Sequence, residues 1–298
     1  MTSEMHGIYI AALQTSLLAI VGFGRLIRKL DKPAKGWLLF AAVLICLPLQ
    51  PLAFYFVRLP LDHWLAGHLT RTSTAYQWLV TLYAPLTEEP AKLLVLLVPA
   101  ILRDIRPDNF PRYTLAIGLG FALGEMWFVA ERVSHQPALA KLPFYEFGGY
   151  VSERLMTCVF HSAFVAITLS RLRRGWWIGL GGAMAAHWAA NFPLTLMAWN
   201  VGSLGRTNWE VIVGLWLATL LVGALAWLAY LIFGQVLPLR WMYGLRHCPE
   251  CSADFEPSAL AINFGDERYE RCPHCRKWLW TKLSTAKTNR ATPPTRMM

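Results

Sequence analysis

Long apolar stretches alternate along the chain with short basic clusters. A helix needs about 20 apolar residues to cross the hydrocarbon of a bilayer. Seven stretches of that order are present: Gly7 to Gly24, Trp37 to Val57, Tyr76 to Leu102, Tyr113 to Ala130, Tyr150 to Ser170, Trp176 to Trp199 and Trp209 to Gly234. The expected fold is all-α, a polytopic transmembrane bundle of seven helices over residues 1–238. Past that point the pattern changes. Residues 239–279 are mixed and polar and predict a small separate domain. Residues 280–298 are rich in Lys, Thr and Pro and predict a disordered basic tail.

Charge gives the bundle an orientation. Arg25, Arg28, Lys29, Lys32 and Lys35 follow the first stretch, Arg103, Arg106 and Arg112 the third, and Arg171, Arg173 and Arg174 the fifth. The even loops are balanced or sparse: Arg58 and Arg71 with Asp62, then Glu131 and Glu146 with Arg132 and Lys141, then Arg206 alone. Basic loops stay cytoplasmic, so the expected topology puts the N-terminus outside and the C-terminus inside. The first stretch has no basic segment ahead of it and no small-residue cleavage site, so it reads as a retained helix rather than a leader.

Composition agrees. The 298 residues are 55% hydrophobic and 15% charged, whereas soluble domains carry about a quarter charged residues. The net charge of +10 therefore reads as loop charge of a multi-pass plasma-membrane protein before it reads as a nucleic-acid footprint. Fourteen Trp suit the headgroup level. Cys46 and Cys158 stand alone in apolar runs and read as small buried hydrophobes.

The chemistry lies in the residues that ought to avoid a membrane. Glu88, Glu89 and Lys92 sit in the third stretch, Glu125 in the fourth, His161 in the fifth, and His187 and Asn191 in the sixth. At about 1.5 Å of rise per residue, Glu88, Glu125, His161 and His187 all reach one level near the midplane. Unpaired, such groups would together cost something like 10 kcal/mol, so they must face one another or a wet cavity. Glu88 and Lys92 are four apart and are expected to pair. Pro90 is expected to kink its helix. Such a set can activate water in two ways: a carboxylate acts as general base, or Glu and His ligands hold a divalent metal. Two other functions use the same residues: a proton-coupled transporter, or a non-catalytic scaffold or sensor working through the C-terminal domain.

Glu88-Glu89-x-x-Lys92, Phe121-x-x-x-Glu125, His161-Ser-Ala-Phe and His187-Trp-Ala-Ala-Asn191-Phe together resemble the motifs of the PrsW family of intramembrane proteases, relatives of the type II CAAX prenyl endopeptidases and bacteriocin-processing enzymes. The resemblance covers roughly Tyr76 to Asn200. It implies an intramembrane endopeptidase whose partners are the bilayer and a transmembrane protein substrate. By that match Glu88 and Glu89 form the catalytic pair, Glu125 and His161 complete the site, and His187 and Asn191 bind metal or stabilise the oxyanion. Lys92 supports the acidic pair.

Near the C-terminus, Cys248-x-x-Cys251 and Cys272-x-x-Cys275 have zinc-ribbon spacing. Four thiolates fill the tetrahedral positions of a structural Zn²⁺, leaving none open for catalysis. Phe255, Ile262, Phe264 and Tyr269 can supply a minimal core. The expected partner of this ribbon is a cytoplasmic protein. Arg246, Arg268, Arg271, Arg276 and Lys277 would also suit a polyanion, which keeps nucleic acid or anionic lipid as a lesser alternative.

Overall fold

The computed structural model describes residues 6–30, 34–233, 246–255, 261–264 and 267–283. Asp31, Lys32, residues 234–245 and the expected tail beyond Leu283 lie outside the described residues, as do the side chains of Arg174, Ile262, Phe264 and Arg268. The chain divides into two compact units, Met1–Ile232 and Phe233–Met298.

The first unit is helical. Helix α1 spans Gly7–Lys29. Helices α2 (Gly36–Cys46) and α3 (Leu49–Ala53), a π-helical turn at Phe54–Arg58, and α4 (Leu59–His68) form one run from Gly36 to His68. Short helices α5 (Thr74–Thr81), α6 (Tyr83–Leu93) and α7 (Pro99–Asp104) come next, with a 3₁₀ turn at Leu94–Leu97. After them come α8 (Phe110–Ser134), the single turn α9 (Pro137–Ala140), α10 (Gly148–Ser170), α11 (Leu172–Ala198) and α12 (Arg206–Phe233).

Among the described residues four helices are long and apolar enough to cross a membrane: Gly7–Lys29, Gly36–His68, Phe110–Ser134 and Arg206–Ile232. Their outer faces carry large apolar side chains in the open. Leu13, Leu17, Leu18 and Val21 line α1, and Val211, Leu215, Val222 and Leu225 line α12. In water this surface would be untenable, whereas lipid is its natural solvent. The protein is a multi-pass membrane protein.

Seven uniform spans are not what the chain builds. The third stretch is broken, and one break has a plain cause. Pro99 restricts Val98 to extended backbone (φ −80°, ψ 107°), which stops the 3₁₀ turn and starts α7 afresh. Pro90 sits inside α6 without ending it. Helices α10 and α11, at 23 and 27 residues, have the length to cross but hold no stretch as continuously apolar as those of the other four.

Helix α8 is the axle of this unit. Its small residues let neighbouring backbones touch it. A Cβ on Gly120 would lie 2.3 Å from the Val43 carbonyl oxygen, one on Gly124 1.9 Å from that of Leu47, and one on Gly118 2.4 Å from Ser162 Oγ. Such approach is how membrane helices gain van der Waals contact in a solvent that supplies no hydrophobic drive between them. Around that seam Leu38, Ala42, Cys46, Ile117, Phe121 and Val165 form the main core, and Cys158 joins Leu119, Leu123 and Met126 in a second cluster. Both lone cysteines are buried.

The second unit is a five-stranded antiparallel sheet in the order β2-β1-β5-β4-β3. Its strands are β1 (Arg246–His247), β2 (Asp254–Phe255), β3 (Ala261–Phe264), β4 (Glu267–Arg271) and β5 (Trp278–Leu283). Strand β5 runs past the expected start of the tail at 280, because Thr281 pairs with Arg268 and Lys282 with both Glu267 and His247.

Candidate active site and candidate metal centre

Five stretches of helix deliver the polar residues to one place. Helix α6 brings Glu88, Glu89 and Lys92, α8 brings Glu125, α10 brings His161, and α11 brings His187 and Asn191. Glu88, Glu89, Lys92, His161 and His187 are all buried. The fifth contributor is the π-helical turn, which carries Arg58.

The pairings form two linked groups. In the first, Glu89 Oε1 accepts from Lys92 Nζ at 2.6 Å and lies 2.6 Å from His187 Nδ1. The other nitrogen of that ring, Nε2, lies 3.9 Å from Glu88 Oε2. Lys92 is fully enclosed, with its ammonium 4.9 Å from the centre of the Phe121 ring and 5.6 Å from that of Phe164. In the second group, Glu125 Oε2 lies 2.6 Å from His161 Nε2, and its other oxygen accepts from Arg154 Nη1 at 2.9 Å. Arg154 also pairs with Glu153. The two imidazole rings stand 6.1 Å apart, and Phe121 packs edge-on to His161.

The expected Glu88–Lys92 pair does not form. Lys92 turns to Glu89, three residues back, and Glu88 is taken by Arg58, whose Nη2 lies 2.6 Å from Oε1 and 3.1 Å from Thr87 Oγ1. Arg58 is therefore not a loop residue. A π turn admits one extra residue per turn and re-aims the helix beyond it, a device common at functional sites. Here Arg58 closes the turn and points its guanidinium inward. Arg154 is the other residue that the sequence pattern does not single out. Its signal is present all the same: an Arg inside a membrane stretch needs carboxylate partners, and the adjacent Glu153 supplies one of the two it finds.

The groups converge on a cavity of about 410 Å³. Glu88, Glu125, His161, His187 and Asn191 line it, together with Arg58, Arg154 and Gln50. Glu89 and Lys92 do not; they lie behind the wall. Three ligand atoms, one each from Glu88, Glu125 and His161, fall within 4.8 Å of one another, and this donor set suits a divalent cation. His161 Nδ1 is buried with no hydrogen-bond partner.

The second unit holds the other candidate centre. Cys248 and Cys251 sit in the loop between β1 and β2, and Cys272 and Cys275 in the loop between β4 and β5. The two loops are built alike. Cys248 N–H bonds Ala253 O while Ser252 N–H bonds back to Cys248 O; Cys272 N–H bonds Lys277 O while Arg276 N–H bonds back to Cys272 O. Ser252 and Arg276 both take left-handed backbone, at φ 57° and 61°, to close the turns. The Cys248–Cys275 and Cys251–Cys272 sulfur separations are 3.7 and 3.8 Å. Four sulfurs about 2.3 Å from a tetrahedral zinc lie about 3.8 Å from one another, so the thiols fit that ion. Phe255 and Leu279 pack against this cluster.

Arg246 cannot serve a polyanion, because it is buried beside Glu270, which accepts from Thr281 at 2.6 Å. At the rim the Glu250–Lys277 pair (2.8 Å) holds the Glu250 carboxyl below its ordinary range and the Lys277 ammonium above, each through the hydrogen bond to the other.

No family model matches the chain, nor does any curated protein or solved structure.

Proposed function

We propose that the chain is an intramembrane endopeptidase of the PrsW kind, cutting peptide bonds of transmembrane proteins in the plasma membrane. One observation carries this reading. Glu88 is anchored through Oε1 by Arg58 while lining a half-open cavity that it shares with Glu125, His161, His187 and Asn191. A carboxylate with one oxygen held and the other left beside an imidazole in the cavity wall is arranged to take a proton from water.

In this mechanism Glu88 accepts a proton from a water in the cavity. The hydroxide adds to the scissile carbonyl carbon, and the proton passes to the departing amine nitrogen. Asn191 lines the same space, and its side-chain amide is a donor available to the oxyanion. Both oxygens of Glu125 are engaged, by Arg154 and His161, which suits it to orienting the imidazole rather than to abstracting a proton. Glu89 is a positioning residue: it holds Nδ1 of His187 from behind the cavity wall. A metal reading draws on the Glu88, Glu125 and His161 trio. A divalent ion held there would lower the pKa of its water to about 7.

Comparing membrane proteomes of cells carrying the wild type with cells carrying Glu88→Gln at equal abundance tests the assignment. A membrane protein that stays intact only in the variant, with its shortened form only in the wild type, supports it. Identical fragment patterns from two correctly inserted proteins reject it. Sensitivity of the wild-type fragment to a membrane-permeant chelator then separates the metal reading from the carboxylate one. The C-terminal unit is assigned a structural zinc and the recruitment of a protein partner on the cytoplasmic side.

A further inference from the structure

The two faces of the C-terminal sheet differ in kind. On one, Leu279 packs with Phe255, Cys248 and Cys272, and Thr281 meets Glu270. Strand alternation and register put Tyr269, Arg271, Trp278 and Trp280 on the other, since Tyr269 pairs with Trp280 and Arg271 with Trp278. Tyr269 stacks on Trp278 with ring centres 5.7 Å apart and packs at a tilt against Trp280 with ring centres 5.3 Å apart. Trp278 is 53% exposed and Trp280 46%. So this face carries a Trp–Tyr–Trp ladder in the open, with Arg271 exposed at its end.

We infer that this ladder is a bilayer-docking surface that seats in the headgroup layer. Indole and phenol rings favour that layer because each has an apolar body and a polar tip. Chain continuity supplies the partner: only residues 234–245 separate the ribbon from α12, which is apolar enough to cross the membrane. A lipid surface is thus always within a short tether's reach, which makes docking effectively intramolecular. Exposed Arg271 and Arg276 can meet lipid phosphates beside the rings. A single-stranded nucleic acid also stacks on aromatic ladders, but it needs a basic groove. Between Arg246 and Leu283 the basic and acidic residues are equal in number, six of each. Partition of the rings into headgroups needs no such excess.

The test uses the full-length, zinc-loaded protein. Benzoylphenylalanine is introduced at position 278, at 280, or at exposed His274 in the Cys272–Cys275 loop as a reference. Each variant is illuminated in phosphatidylcholine–phosphatidylglycerol liposomes and in cell membranes. Lipid adducts at 278 and 280 several-fold above those at 274 are expected. Equal yields at the three positions, or adducts in cells to a second copy, another protein or nucleic acid, overturn the inference. Hydroxyl-radical footprinting of the wild type guards against misfolded variants. In liposomes, oxidation of Trp278 and Trp280 should fall several-fold below that of exposed Tyr145, and full oxidation of both indoles contradicts docking.

Discussion

Lys92 offers the sharpest test of how the helical unit tolerates its charges. The side chain is fully enclosed, its ammonium is 2.6 Å from Glu89 Oε1, and the same oxygen meets His187. Lys92→Met keeps the length of the stem against Phe121 and Phe164 but removes the charge. Glu89 is then a buried carboxylate short of its cation. Breaking a buried pair from one side costs about 3–5 kcal/mol, roughly two to four powers of ten in the unfolding equilibrium. Replacing both partners is far cheaper, because neither charge remains to be solvated. The Glu89→Gln/Lys92→Met double variant should therefore recover most of the loss, since the amide introduced at position 89 can still hydrogen-bond His187. The measurement is a double-mutant cycle on reversible unfolding in mixed micelles, monitored by circular dichroism. A double variant no more stable than Lys92→Met alone refutes the reasoning, as does a single-variant cost below about 1 kcal/mol, the range of an exposed pair.

The same structure sets other outcomes. Gly124→Ala places a methyl 1.9 Å from the Leu47 carbonyl, so it should destabilise by about 1–3 kcal/mol or more, whereas Gly181→Ala, with nothing within 4 Å, should not lower the thermal midpoint. Arg154→Lys keeps the charge but loses the fork between Glu125 and Glu153, and should cost about 1.5–3 kcal/mol with a further loss of any proteolysis. The ribbon should carry one zinc per chain by elemental analysis. Cys251→Ser should abolish it, and a thiol-blocking reagent should release it where dialysis does not, given an apparent binding energy of about 10–16 kcal/mol.

Much of this arrangement is legible in the sequence because burial in lipid makes polar residues conspicuous. The common depth of Glu125 and His161 predicts that they face one another, and they do; the thiol spacing foretells the four-cysteine cluster. Hidden from the sequence is the choice of partner. Periodicity puts residues three and four apart on one face alike, so it does not decide whether Lys92 takes Glu88 or Glu89. The decision belongs to Arg58, which occupies Glu88 from another helix. Arg58 is hidden in turn because an arginine at the end of an apolar run reads as a loop charge. The polar site residues also lower the apolarity of α10 and α11, two of the helices that line the cavity, and neither is among the four most plainly apolar spans.

The π turn at Phe54–Arg58 has a consequence for how this chain can change over time. It works as a one-residue frame shift between the helical face before it and the face after it. Loss of a single residue there would relax the turn to α-helix and swing Arg58 by about 100° around the axis. Hydropathy, charge and span length would barely register the event, yet Glu88 would lose its anchor. Lineages that keep every residue type at the site can therefore lose the site by a deletion, and those that restore it must do so by insertion rather than by substitution.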